Sequence, residues 1–213
     1  MSSVQKPIFV SIYNKKEKFP DKGGEIHKAW YEAIVGQCQT LIINSDTINR
    51  DNWFKTFEFL NGNIIYPYIY IFVGVHGIVK NGVQYIKFNE KYHMSENEFM
   101  GMLSRSLSTN IYVFLDICHA GHFTLKDMED NQISKNITIF STCNVDEKSA
   151  SFRRSTLFEN YSIGICTEWL YKNRMNPFKN PEQCCIQLNK YLDSIKIKEI
   201  NQRSNLLKYQ FLI

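Results

Sequence analysis

A histidine and a cysteine, each closing an apolar run, are the residues here best equipped for chemistry. Residues 68–77 read YIYIFVGVHG and end on His76-Gly77. Residues 110–118 read NIYVFLDIC and lead into Asp116-Ile117-Cys118-His119-Ala120-Gly121. Runs rich in β-branched and aromatic residues read as buried strands. Functional groups of open parallel sheets collect at the carboxyl ends of the strands. If these two strands are central and adjacent, His76 and Cys118 share one edge. A thiol needs a base or cation nearby to become a nucleophile at neutral pH, and an imidazole supplies either. The N–H groups of Gly77 and Cys118 are candidates for an oxyanion hole. Gly121 would let the chain turn away sharply after the nucleophile.

The elements that must position this pair alternate along the chain. Strands are expected at 8–14 (IFVSIYN), 40–46, 68–77, 83–90, 110–118, 136–143 and 208–213. Helical spacing of apolar residues is found at 24–38 and 49–62, and helices are also expected at 95–108, 157–173 and 181–195. Ser95 and Glu98 are spaced as a capping box, and Asn81-Gly82 marks a hairpin turn. Strands that are apolar on both faces, interleaved with helices, predict an α/β domain. Its central sheet is mostly parallel, with helices on both faces. No linker rich in Gly, Ser or Pro, no repeat and no low-complexity tract interrupts the 213 residues, so one domain over 1–213 is expected.

Composition narrows the class. The chain is 44% hydrophobic and 22% charged, ordinary values that argue against disorder. The net charge of +4 is spread without a dense basic run, so no nucleic-acid partner is expected. No stretch approaches the ~20 apolar residues of a membrane span, and MSSVQKPIFVSIYNKKEKF shows no apolar leader core. A cytoplasmic protein with no membrane partner is expected. Its six cysteines, Cys38, Cys118, Cys143, Cys166, Cys184 and Cys185, form no C-x-x-C pair and are expected to be free thiols, mostly inert core.

A strand ending in His-Gly, followed about forty residues later by Asp-x-Cys-His-small-Gly, resembles the caspase-like (clan CD) cysteine peptidases. The local match is to metacaspases, whose nucleophile sits in a motif like Asp-x-Cys-His-Ser-Gly; Ala120 stands where Ser is usual. NVDEKSAS (144–151) resembles the metacaspase Asp-x-x-Ser-Ala stretch through Asp146, Ser149 and Ala150. The resemblance implies a caspase-like fold from about residue 7 onward and a cysteine endopeptidase acting on polypeptides. Cys118 is then the nucleophile and His76 the general acid/base. It further implies that Asp116, helped by Asp146, receives a Lys or Arg side chain before the cut. Caspases proper, with Gln-Ala-Cys-x-Gly, select aspartate instead. No cofactor is expected: IVKNGVQYIKFNEKYH after His76 is poor in the acids through which many metacaspases hold calcium. Relatives are monomers, or dimers through the last strand, and both states stay open.

Other roles are available to the same residues. Cys118, His119 and His122 could ligate a metal, but their spacing is cramped and a fourth ligand is not evident. Asp116 could simply be a capping or loop hydrogen-bonder. A legumain-like or transamidase-like hydrolase is a rival within the clan. A non-catalytic caspase-like interaction module is a rival outside enzymology. His27 and His93 are expected to have no role.

Overall fold

The structure, a computed structural model, describes residues 5–14, 23–121, 123, 136–144, 146, 148–149, 151–152, 163–194 and 205–209. A six-stranded sheet runs through it. Strands β1 (Ile8–Tyr13), β2 (Gln39–Asn44), β3 (Ile69–Gly74), β7 (Asn110–Leu115), β8 (Asn136–Ser141) and β11 (Asn205–Tyr209) lie in the order β11-β8-β7-β3-β1-β2. The five from β2 to β8 are parallel, and β11 joins one edge antiparallel to β8. The helices are α1 (Gly23–Val35), α2 (Trp53–Thr56), α3 (Glu58–Asn61), α4 (Glu96–Arg105), α5 (Ile165–Lys172) and α6 (Pro181–Ser194). Among the described residues no helix is long and apolar enough to cross a membrane.

The strand sequences explain why both sheet faces are covered. Alternate residues of a strand point to opposite faces. Here one set is aliphatic: Ile8, Val10 and Ile12, Ile69, Ile71 and Val73, Ile111, Val113 and Leu115, Ile137 and Ile139. These pack with Leu60 of α3 and Phe99, Met102 and Leu103 of α4. The other set is aromatic: Phe9, Tyr70, Phe72, Tyr112, Phe114 and Phe140, joined by Tyr31 of α1, Leu170 of α5 and Leu188 of α6. Phe72, Phe114 and Phe140 stack across three neighbouring strands at centroid separations of 5.8 and 5.4 Å. Such pairs contribute about 0.5–1.5 kcal/mol each beyond area burial.

His27 of α1 lies inside this aromatic face. Its ring is 4.2 Å from Phe114 and 5.0 Å from Phe72, and neither ring nitrogen has a partner among the described residues. Burial lowers its pKa to about 3. The neutral ring fits the core and the imidazolium does not, so the unfolded chain binds the proton more readily than the folded one. Stability is therefore full above pH 6.5 and falls on acidification toward pH 3, by up to about 1.4 kcal/mol per pH unit. Urea unfolding across that window checks this, and His27→Phe is expected to flatten the dependence.

Several elements depart from the sequence expectation. The stretch 68–77 is not one strand. β3 stops at Gly74, and His76 opens β4 (His76–Lys80), which leaves the main sheet. With β5 (Val83–Lys87) and β6 (His93–Ser95), β4 forms a separate antiparallel sheet. Asn81 and Gly82, at φ +52° and +75°, make the β4–β5 turn of the type that matches strand twist. The stretch 49–62 splits into α2 and α3 at Phe57, whose φ and ψ of −100° and 21° break the helical path. The last strand already runs from Asn205, earlier than 208–213 implies, with Leu206 opposite Phe140, and residues 210–213 lie outside the described residues. Residues 157–162 lie outside the described residues, and α5 starts only at Ile165, after the short β10 (Ile163–Gly164), which pairs with β9 (Ser151–Phe152). The Ser95/Glu98 capping box opens α4 in both directions, with Ser95 N–H donating to Glu98 Oε2 at 2.8 Å.

Candidate active site

The parallel register of β3 and β7 brings the two motifs together. Ile69 lies opposite Ile111, and the last paired residues are Val73 and Leu115. His76 and Cys118 each come three residues later, at the carboxyl ends of adjacent strands. The register extends one bond further, since Asp116 N–H donates to Val73 O at 2.9 Å. The chains then meet through backbone: a Cβ on Gly77 would collide with the Cys118 carbonyl. Gly77→Ala is therefore expected to destabilise the fold by about 1–3 kcal/mol, the scale of overpacking, and to lower any turnover. Gly101→Ala on α4, where a Cβ would meet only the far end of Arg105 at 3.9 Å, is expected to stabilise it by about 0.5–1 kcal/mol. Paired urea melts check both.

His76 is exposed, Cys118 half-buried and Gly77 buried. Burial pushes the Cys118 thiol up, as does the neighbouring Asp116 charge, while a backbone hydrogen bond from Ser149 and the Lys148 charge oppose this. The thiol lies 3.8 Å from the Ser149 carbonyl, to which it donates. The turn after the nucleophile runs over residues 118–121, and its left-handed residue is His119, at φ +60°. Glycine permits a left-handed residue but does not require one, and histidine tolerates that region better than branched residues do.

Two buried groups hold the nucleophile turn and were not legible as site residues. Gln84 of β5 is fully buried, and its Nε2 donates to the Cys118 carbonyl at 3.0 Å. Cys143, just past β8, donates its thiol to Ile117 O at 3.1 Å and accepts Ala120 N–H at 3.4 Å. It is a core thiol, as the composition suggested, but one that braces the turn. Cys166 and Cys184 are buried, and Cys38 and Cys185 half-buried. A signal for Gln84 did exist: along β5 it takes an inward position that Ile86 also takes, where an apolar residue is the rule.

Asp116 is only 8% exposed. Ser149 Oγ donates to its Oδ1 at 2.6 Å, Thr142 Oγ1 lies 3.1 Å from the same oxygen, and Thr167 Oγ1 of α5 donates to Oδ2 at 3.0 Å. Gly164, at the N-terminus of α5, lies so close that a Cβ there would collide with the carboxylate. Burial pushes the Asp116 carboxyl up, with the three hydroxyls opposing. Asp146 stands exposed on the stretch after β8. Among the described residues no three His, Cys, Asp or Glu gather as metal ligands, and His122 lies outside those residues.

No protein-family model and no curated protein matches the sequence. Solved structures do match the fold. The GSU0716 protein from Geobacter sulfurreducens is 11% identical at a TM-score of 0.64, over 98% of this chain and 95% of that one. Caspase-1 from Spodoptera frugiperda is 11% identical at a TM-score of 0.55, over 98% and 88%. The Drosophila initiator caspase Dronc is 9% identical at a TM-score of 0.51, over 96% and 82%. Identities this low speak to the fold alone. The chain has the caspase-like fold, an α/β architecture with a mostly parallel central sheet flanked by helices.

Proposed function

We propose that the chain is a cysteine endopeptidase of metacaspase type that cleaves after Arg or Lys. The observation that carries this is the β3–β7 register, in which His76 and Cys118 follow the same paired position, with Gly77 packed on the Cys118 carbonyl. His76 takes up or relays the thiol proton, and the thiolate attacks the scissile carbonyl. The N–H groups of Gly77 and Cys118 receive the oxyanion. The tetrahedral intermediate collapses as His76 protonates the leaving amine, leaving a thioester. Water, deprotonated by His76, then hydrolyses it and regenerates the thiol. The caspase neighbours support the peptidase class, in keeping with the fold.

Asp116 supports the basic preference. A buried carboxylate gains most from a guanidinium or ammonium, because charge-assisted bonds are about twice as strong as neutral ones. Asp146, exposed three residues before Ser149, is the second acid of the pocket in this reading. A non-catalytic caspase-like module is the second reading. One observation favours it: burial pushes the Cys118 thiol up, and the thiol donates to the Ser149 carbonyl at 3.8 Å.

A positional-scanning fluorogenic peptide library, with and without calcium, tests both. Arg or Lys at P1 is expected to be preferred over Asp, without a calcium requirement. Asp116→Asn is expected to reduce that preference by about ten- to a hundredfold, the worth of a charged hydrogen bond. Because Asp116 is pushed up, the preference of the wild type should fade on acidification at a higher pH than an ordinary carboxylate would give. A preference that survives Asp116→Asn moves the pocket acid to Asp146. No cleavage of any peptide by folded protein leaves the non-catalytic module.

A further inference from the structure

Ser149 is bound at both ends. Its hydroxyl donates to Asp116 Oδ1 at 2.6 Å, and its carbonyl accepts the Cys118 thiol at 3.8 Å. One residue thus joins the carboxylate assigned to the substrate's side chain and the sulfur assigned to its scissile bond. We propose that Ser149 is a latch, so that a basic side chain entering the Asp116 pocket frees the Cys118 thiol. This rests on the peptidase reading for the pocket's role, although the coupling itself involves no turnover.

The three hydroxyls on Asp116 are not equivalent. Thr142 and Thr167 are fully buried, whereas Ser149 is half-buried. An incoming cation therefore reaches the carboxylate from the Ser149 side. A charge-assisted bond outcompetes a neutral hydroxyl there, and the displaced Ser149 hydroxyl has water within reach. Ser149 follows Lys148, which is exposed, on a stretch that joins β8 to β9. When the side chain leaves Asp116, the carbonyl two bonds along the same residue shifts from the sulfur.

Three changes reach the thiol together. The S–H loses an acceptor that occupies one approach to sulfur. The sulfur becomes less buried, which removes the largest cause of its raised pKa, and the cation neutralises the Asp116 charge that adds to it. The Ser149 backbone bond, which acts in the opposite sense, is lost as well, but it is smaller than burial. The charged groups that act on the sulfur are Asp116 and Lys148; His119 follows it on its own turn and His76 opens β4 at the end of the adjacent strand. The proton released from sulfur passes to the His76 imidazole.

The test reads thiol reactivity rather than cleavage. Iodoacetamide alkylation of Cys118 is followed by mass spectrometry of its peptide, which separates it from half-buried Cys38 and Cys185. Agmatine, a guanidinium on a short chain with no peptide bond, serves as the pocket occupant, and its binding is measured by calorimetry. In wild type, agmatine is expected to speed alkylation at neutral pH by about three- to tenfold, the worth of one ordinary hydrogen bond. Ser149→Ala keeps the backbone and removes the hydroxyl tether. Its free thiol should react faster than that of free wild type, and agmatine, which still binds, should add only the smaller increment that neutralising the Asp116 charge gives. Asp116→Asn should neither bind agmatine nor respond to it. A residue that merely supports the fold would not change the agmatine response in this pattern. Agmatine binding without faster alkylation in wild type overturns the latch, as does a full response retained in Ser149→Ala. If Arg peptides are nevertheless cleaved, the peptidase reading stands. The expected alkylation pattern without cleavage of any peptide would sink that reading and keep the coupling.

Discussion

Cys118→Ala protein is expected to fold normally and to cleave no peptide, with turnover reduced by at least about four orders of magnitude, as when a catalytic nucleophile is removed. The fold should tolerate the change because the side chain lies outside the packed sheet faces. Cys118 comes three residues after β7 ends at Leu115, and its thiol makes a long 3.8 Å bond to a carbonyl on a partly exposed stretch. Alanine leaves that carbonyl free to turn to water, so no buried acceptor is stranded. The turn stays braced by Gln84 on the Cys118 carbonyl and by Cys143 on Ile117 and Ala120, all of which address backbone rather than the lost sulfur. Cys38→Ala and Cys185→Ala are matched controls, since both thiols are half-buried and neither lies at the carboxyl edge of β3 or β7. They should retain full activity. Substantial turnover by folded Cys118→Ala protein would mean that the sulfur is not the nucleophile. Circular dichroism and a urea melt beside the peptide assay distinguish loss of chemistry from loss of fold.

What could be read from the sequence follows from what is local. The parallel sheet was legible because each strand carries apolar residues on both faces. The capping box at Ser95 and the turn at Asn81-Gly82 were legible because their chemistry lies within four residues. The His-Gly and Asp-x-Cys-His motifs stood out because reactive groups rarely close an apolar run. The departure of β4 from the main sheet left no such mark, since YIYIFVGVHG is one continuous run and the break falls at half-buried Val75. The polar hub was invisible for a different reason. Asp116 meets Thr142, Ser149 and Thr167 across separations of 26, 33 and 51 residues. Serine and threonine are too common for any one of them to announce a partner. Asp116 itself could be read as a pocket acid, but not as one saturated by hydroxyls. Gln84 and Cys143 belong with the hub, because each acts on backbone of the nucleophile turn from a position far away in the chain.

His76→Ala is expected to lower turnover by about two to four orders of magnitude, the usual worth of a positioned acid/base. The loss should be smaller than that of Cys118→Ala, because oxyanion donors and substrate binding remain. His76 is the exposed first residue of β4, paired across the hairpin with Lys87. Removing its ring therefore opens no cavity, and stability should change little, within about 0.5 kcal/mol. The fold separates His76 from its rival. His119 directly follows the nucleophile, but its left-handed backbone, at φ +60°, is the turn that carries the chain away. Its side chain is part of that turn rather than of a facing strand. His76 instead comes from the adjacent strand, whose next residue, Gly77, touches the Cys118 carbonyl. The pH profile adds a readout that damage to the fold would not reproduce. The Cys118 thiol is pushed up by burial and by Asp116, so without His76 it must ionise unaided. Residual activity of the variant should keep rising with pH beyond the point where the wild type levels off. A loss under about fivefold, with an unchanged profile, would remove His76 from the mechanism and make His119→Ala and His122→Ala the next variants to measure.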